Sequence, residues 1–218
     1  MPWELTVWGP NGGLRAHITN ETHRNPVMGV EASVDAGGGT NSINIRGRNV
    51  GMSVLPRSII DYSAWRELII TVDDQIVTFE DKDLYIRDLY EPLAAGVVVT
   101  SPGANSPGAG PIDRDADAIE RVTAVGLDHL LHERIVRPRV WEGDIDVATI
   151  AYELCLAFAH PMLLVTQANF PPTGHSLGLF YTPEKTVAAA LDDLKSTLPM
   201  GGRWHVDAKR AIHFQAGT

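Results

Sequence analysis

A single cysteine, Cys155, stands in 218 residues. No internal disulfide can form, so folding does not depend on an oxidising compartment. Long apolar runs are also missing: none approaches the roughly 20 residues that a membrane-crossing helix needs. Met1-Pro-Trp-Glu-Leu5 lacks the basic start of a secretory leader and meets Glu4 early, which predicts a protein made and kept in an aqueous compartment. Positive charge is scarce, with 18 Lys and Arg against 27 Asp and Glu and a formal net charge of −9. Such a chain repels phosphate, which argues against specific nucleic-acid binding and against docking on an anionic membrane. Aromatics are few, and Trp3, Trp8, Trp65, Trp141 and Trp204 are scattered, without the regular stripe of a sugar or base platform. They read as core or subunit-contact residues.

What is present is ordinary for a globular protein: 44% of residues are hydrophobic and 21% charged, enough for one large core or two small ones. The first hundred residues alternate as strands do. Trp3 to Trp8 ends at the turn cluster Gly9-Pro-Asn-Gly-Gly13, and Leu14 to Ile18 follows as a hairpin partner. Val27 to Val34, Ser42 to Arg46, Glu67 to Val72, Ile76 to Phe79, Leu84 to Leu89 and Ala94 to Thr100 continue the series, with Asp73-Asp74 as a hairpin turn. Short strands at this spacing suggest a sandwich or barrel. Ser101-Pro-Gly-Ala-Asn-Ser-Pro-Gly-Ala-Gly-Pro111 interrupts them, either as a linker between domains or as a long loop within one barrel. The loop is the preferred reading, because Ala118 to Leu127 resumes as a strand.

Beyond residue 127 the period becomes helical. Leu127, Leu130 and Leu131 fit a short helix. Asp146 caps a longer one with Val147, Ile150, Ala151, Leu154 and Phe158 on one face, ended by Pro161. Thr182-Pro183 reads as an N-cap followed by proline at the first helical position. Val187, Ala190, Leu191, Leu194 and Leu198 then form the apolar face, and Pro199-Met-Gly-Gly202 stops the helix. Arg203 to Asp207 and Ala211 to Phe214 make a terminal hairpin across Ala208-Lys-Arg210. The predicted class is α+β, mainly β. A β-barrel domain spans 1–126, with the loop 101–112 inside it. An α/β domain spans 127–218, with helices near 146–159 and 183–198 and the terminal hairpin.

The search for chemistry finds no site. His129, His132 and Glu133 lie close together, but HLLHE is not the HExxH arrangement and reads as a solvated helix face. His205 and His213 are expected to be cross-strand neighbours, without a carboxylate or cysteine partner to make a metal site. Asp113-Arg-Asp-Ala-Asp117 starts like a calcium loop, but Ala118 and Ala124 stand where glycine and glutamate are required. No Gly-x-Ser-x-Gly or phosphate-cradling loop is present, and Gly37 to Gly39 opens no helix. Cys155, in the apolar run Ala151 to Phe158, reads as a buried small hydrophobe whose surroundings raise its pKa. No residue is assigned a catalytic, cofactor-binding or metal-binding role, no cofactor is implied, and the chain reads as a non-enzyme.

Three stretches resemble the hub proteins of tailed-phage tails and related contractile injection systems. Thr186-Val-Ala-Ala-Ala-Leu-Asp-Asp-Leu-Lys195, then Gly202-Arg-Trp-His-Val-Asp207 and Ala211-Ile-His-Phe214, are similar to the family's helix, "g..W.vd" strand and final hydrophobic strand. Physically this is an amphipathic helix laid against a hairpin, with Trp204 filling the gap. Ala118 to Val136 resembles the hub strand that crosses into a short helix, and Asp146 to Cys155 the helix that usually follows. Arg57-Ser-Ile-Ile60 to Phe79 is similar to the family's "V.v.dg..vf.G" hairpin, with Glu80-Asp81 in place of the glycine. In order, these matches run from about residue 55 to 214.

The resemblance implies a structural virion protein, assembled in the host cytoplasm and placed at the distal end of the tail tube. It implies a homotrimer that contacts a distal tail or tube protein, holds the end of the tape-measure protein and carries tip or fibre proteins. Hubs usually carry two barrels per subunit, so that three chains mimic sixfold symmetry. A complete second barrel does not fit before Thr218, and another chain or a further stretch of polypeptide is expected to supply it. The acidic balance suits a tube end through which DNA slides without sticking. Ser101 to Pro111 and Gly37 to Gly39 are candidate contacts with neighbours. The competing readings are a distal tail or tube-like protein, a tail-associated cell-wall hydrolase, and a carbohydrate-binding tip module. The helices beyond residue 127 favour the hub over the first, and the missing nucleophile or metal constellation disfavours the second.

Overall fold

The computed structural model describes residues 3–9, 12–19, 27–34, 40–48, 54, 57–64, 70–72, 75–77, 92, 94–100 and 119–217. Ser101 to Pro111, Gly37 to Gly39, Asp73-Asp74, Leu84 to Leu89, Trp65 and Asp113 to Asp117 lie outside them. The amino-terminal part holds β1 (Trp3–Trp8), β2 (Leu14–Thr19), β3 (Val27–Val34), β4 (Thr40–Arg48), β5 (Ile59–Ala64), β6 (Ile70–Val72), β7 (Gln75–Val77), β8 (Ala94–Thr100) and β9 (Ile119–Gly126). Seven of these form one antiparallel sheet in the order β2-β1-β5-β8-β9-β4-β3, and β6 and β7 make a separate hairpin. β8 and β9 pair directly, from Gly96 opposite Gly126 to Thr100 opposite Thr123. The segment between them therefore joins neighbouring strands of one sheet.

Alternation puts Leu5, Val7, Ile43, Ile45, Ile60, Val98 and Val122 on one face, in a single core that also contains Ile18 of β2 and Val27 of β3. Residues from both outermost strands share that core, so the sheet curls over its own inner face. Among the described residues no ladder joins β2 to β3, and the seven strands form a curled sheet. A close approach in it is at Gly126, where a Cβ would come within 1.9 Å of the Thr40 carbonyl oxygen. Any larger residue there would force β9 away from β4.

The carboxy-terminal part holds α1 (His129–His132), β10 (Ile135–Val136), β11 (Arg139–Asp146), α2 (Val147–Phe158), β12 (Ser176–Thr182), β13 (Lys185–Thr186), α3 (Val187–Thr197), β14 (Gly202–Val206) and β15 (Ile212–Ala216). Asp146 caps α2 as its sequence suggests, accepting the Ala148 N–H at 2.8 Å. The same carboxylate also accepts the Thr173 N–H at 3.1 Å and the Gly174 N–H at 3.0 Å, tying a distant loop to the helix start. At the other end, Ala159 is extended and its N–H bonds the Cys155 carbonyl, two residues before Pro161.

The start of α3 corrects the sequence expectation. The helix begins at Val187, not at 183, and its cap is Thr186, whose hydroxyl accepts the Ala189 N–H at 3.1 Å. Thr182 is fully buried at the end of β12, and its hydroxyl donates to the Pro183 carbonyl. The physical reason is a competing ladder. Ile135 pairs with Thr186 and Val136 with Lys185, and the Val187 N–H bonds the Arg134 carbonyl. Those backbone groups cannot also enter a helix.

The terminal hairpin has the expected register, with Trp204 opposite Phe214 and His205 opposite His213. Phe214, Ile150, Leu154, Leu191 and Leu194 are fully buried and share a core with Ile59, Ala95 and Val97. These last three lie on the outer face of β5 and β8. The middle of the curled sheet is thus buried on both faces, and its outer face is the floor of the carboxy-terminal part.

Candidate functional site

Several side-chain groups stand out, and each has a clear local cause. The first is a joint between the sheet and the terminal hairpin. The Trp8 indole N–H and an Arg210 guanidinium N–H both donate to Asp61 Oδ2, each at 2.6 Å. The guanidinium carbon lies 5.3 Å from the Trp8 ring centroid, within cation–π range. The other carboxylate oxygen, Oδ1, is buried without a hydrogen-bond partner among the described residues. Arg210 sits in the left-handed region at φ 71°. Sequence reading passed over this trio because its members are far apart in the chain and lie in no motif.

A second group surrounds α1. Thr40, Val125, Gly126, Asp128, His129 and His132 line a shallow pocket of about 220 Å³. Among the described residues, no tryptophan or tyrosine lines it. His129 Nε2 lies 3.8 Å from Glu133 Oε1 on the exposed helix face. The His132 ring is 6.4 Å from that of Trp204, whose indole N–H donates to Asp192 Oδ1 at 3.0 Å. Burial works to raise the Asp192 carboxyl pKa. Hydrogen bonds from Lys195 and Trp204, aided by the charges of Lys195 and His132, outweigh it and hold the group below the usual carboxylate range. Trp204 therefore packs between α3 and the hairpin while its polar edge is satisfied by the helix.

The terminal hairpin brings His205 and His213 together as stacked rings, 4.7 Å between centroids. It also supplies a carboxylate that the sequence reading denied them, since His213 Nε2 lies 2.9 Å from Asp207 Oδ2. Among the described residues, no group of three or more His, Cys, Asp or Glu is arranged to hold a metal ion. Cys155 is 1% exposed, and burial pushes its thiol up to about 12. His160, at the end of α2, is held below its ordinary range by burial first and then by the Arg134 charge.

One exposed apolar surface of the carboxy-terminal part has no counterpart among the sequence expectations. β11 and β12 form a two-stranded ribbon. Its inner face packs Trp141 against Phe180, with ring centroids 5.8 Å apart. Its outer face sets Val140 opposite Tyr181 and Glu142 opposite Leu179. Val140, Leu179 and Tyr181 are 47%, 63% and 56% exposed. Apolar residues on both faces remove the period-two alternation by which a half-buried strand is recognised. A contiguous apolar cluster held outward on a rigid ribbon is a surface suited to a protein contact.

No family model matches the chain, and no curated protein matches it significantly. Among solved structures it is similar to the crystal structure of the tail protein from Neisseria meningitidis MC58, at 12% identity and a TM-score of 0.45. The match covers 97% of this chain and 50% of that one, so this chain spans about half the length of that protein. No helix among the described residues is long and apolar enough to cross a membrane.

Proposed function

We propose that this chain is a structural protein of a phage-type tail, a hub at the distal end of the tail tube, and that it works by assembly without catalysis. The observation that carries this reading is the unit made by α3, β14 and β15. There the stretches that resemble the hub family pack as an amphipathic helix on a hairpin, with Trp204 bridging them through Asp192. In this reading the curled sheet is the hub's barrel, and the outer face of the β11–β12 ribbon meets a neighbouring subunit in a homotrimer. The tube or distal tail protein, the tape measure and the tip or fibre proteins are the remaining partners.

The test is light scattering on the purified chain over a concentration series, with Leu179→Arg/Tyr181→Asp as the comparison. The native chain is expected to reach three times its monomer mass. The double variant is expected to remain monomeric with an unchanged melting temperature, because both positions are exposed. Equal masses for the two proteins would remove the ribbon from the subunit contact.

A further inference from the structure

We propose that Trp8, Asp61 and Arg210 form an orientation lock, a directional contact that sets how the carboxy-terminal part sits on the sheet. Beside it, the described apolar contacts of this joint are Ile59, Ala95 and Val97, which bury their side chains in the core shared with α2, α3 and the hairpin. Apolar burial is strong but non-directional, so by itself it tolerates sliding and tilting. The trio has the opposite character. The Asp61–Arg210 pair joins residues 149 apart in sequence, and both donors converge on one carboxylate oxygen while the guanidinium lies over the Trp8 ring. A cation held at once by an ion pair and by an aromatic ring has little freedom to move.

The arrangement sacrifices stability at two points. Asp61 Oδ1 is left buried and unmatched among the described residues, and an orphaned acceptor is destabilising. Arg210 holds a left-handed backbone at φ 71° in the turn closed by its own N–H to the Asp207 carbonyl. Glycine would adopt that conformation without strain. A residue chosen only to make the turn would not be arginine, and an aspartate chosen only for stability would not leave one oxygen unpaired. Both features follow if the guanidinium must start from that turn to reach Asp61 and Trp8. Because the hairpin also bears Trp204, which is bonded to α3, fixing its tip fixes the angle of the whole carboxy-terminal part.

The test is hydrogen exchange of the Trp8 indole N–H by NMR in the full chain, with Trp8→Phe used to assign the resonance. Arg210→Gly and Asp61→Asn are compared alone and together. The lock predicts that each single variant speeds indole exchange at least tenfold, and that the double variant is no faster than the faster single one. The backbone amides of Leu191 and Leu194 should keep their protection in all three, showing that the core remains folded. If Arg210 serves only the turn, Arg210→Gly relieves strain and leaves the Trp8 indole as slow as in the parent, which would overturn the proposal. Multiplying effects in the double variant would overturn it as well. Should Arg210→Gly lose the Leu191 and Leu194 protection, Arg210→Asn, which tolerates the same backbone, takes its place with the same two outcomes.

Discussion

The curled sheet and the carboxy-terminal part hold themselves together differently. In the sheet the backbone ladder does most of the specification: side chains alternate, and the inner face is filled by Leu5, Val7, Ile43, Ile45 and Val122. In the carboxy-terminal part, side chains close the backbone where it leaves regular structure. Asp146 caps α2 and ties down residues 173–174, Thr186 caps α3, and Asp207 accepts the Ala211 N–H at 2.8 Å in the hairpin turn. A ladder tolerates substitution at most outward positions, whereas a cap concentrates its effect in one residue. The two parts nevertheless share one core through Ile59, Ala95 and Val97, and this makes the comparison testable.

The largest expected effect is at that shared core. Phe214→Ala should destabilise by about 3–5 kcal/mol. Denaturant unfolding followed by circular dichroism should remain a single transition, because the sheet loses its floor when the hairpin fails. Two separated transitions would show that the parts fold independently. Next comes Asp146→Ala, expected to cost about 2 kcal/mol, because one carboxylate serves both a helix cap and a second loop. Asp146→Asn should cost clearly less, since an amide oxygen still caps. Smaller again is Thr186→Ala, at about 1 kcal/mol. Pro183→Ala should change stability by less than about 0.5 kcal/mol. The reverse order for this pair would restore Thr182-Pro183 as the start of the helix.

The smallest effect at neutral pH concerns Cys155. Its thiol is raised from an ordinary 9.0 to about 12 in the folded protein. The unfolded chain therefore loses this proton first, so the thiol has no effect below pH 9 and stability falls as pH rises from 9 towards 12. Cys155→Ala should flatten that alkaline loss. A thiol reagent added to the native protein at pH 7.5 should react only at the unfolding rate, and rapid labelling would contradict the burial.

These contrasts also explain what could be read in the sequence. β1 and β3 were legible to the residue, because alternation bounded by glycine and proline is a local signal, and β8 because it is a short apolar run closed by a proline and glycine cluster. α2 was legible for the same kind of reason, since its cap and its stripe are adjacent in the chain. The start of α3 was misplaced because a tertiary ladder from Ile135–Val136 claims Lys185 and Thr186, and no local pattern records that competition. The β11–β12 ribbon was invisible because both of its faces carry apolar side chains. The trio of Trp8, Asp61 and Arg210 was invisible because only folding brings it together. The features legible in the sequence were local ones, while the surfaces suited to contact were set by tertiary structure.

Electron microscopy of tailed particles containing this chain, labelled with gold-conjugated antibodies against it, tests the central claim most directly. The account predicts gold at the distal tip of the tail tube, at the end opposite the head. Gold along the length of the tube, or particles that retain none after washing, would contradict it.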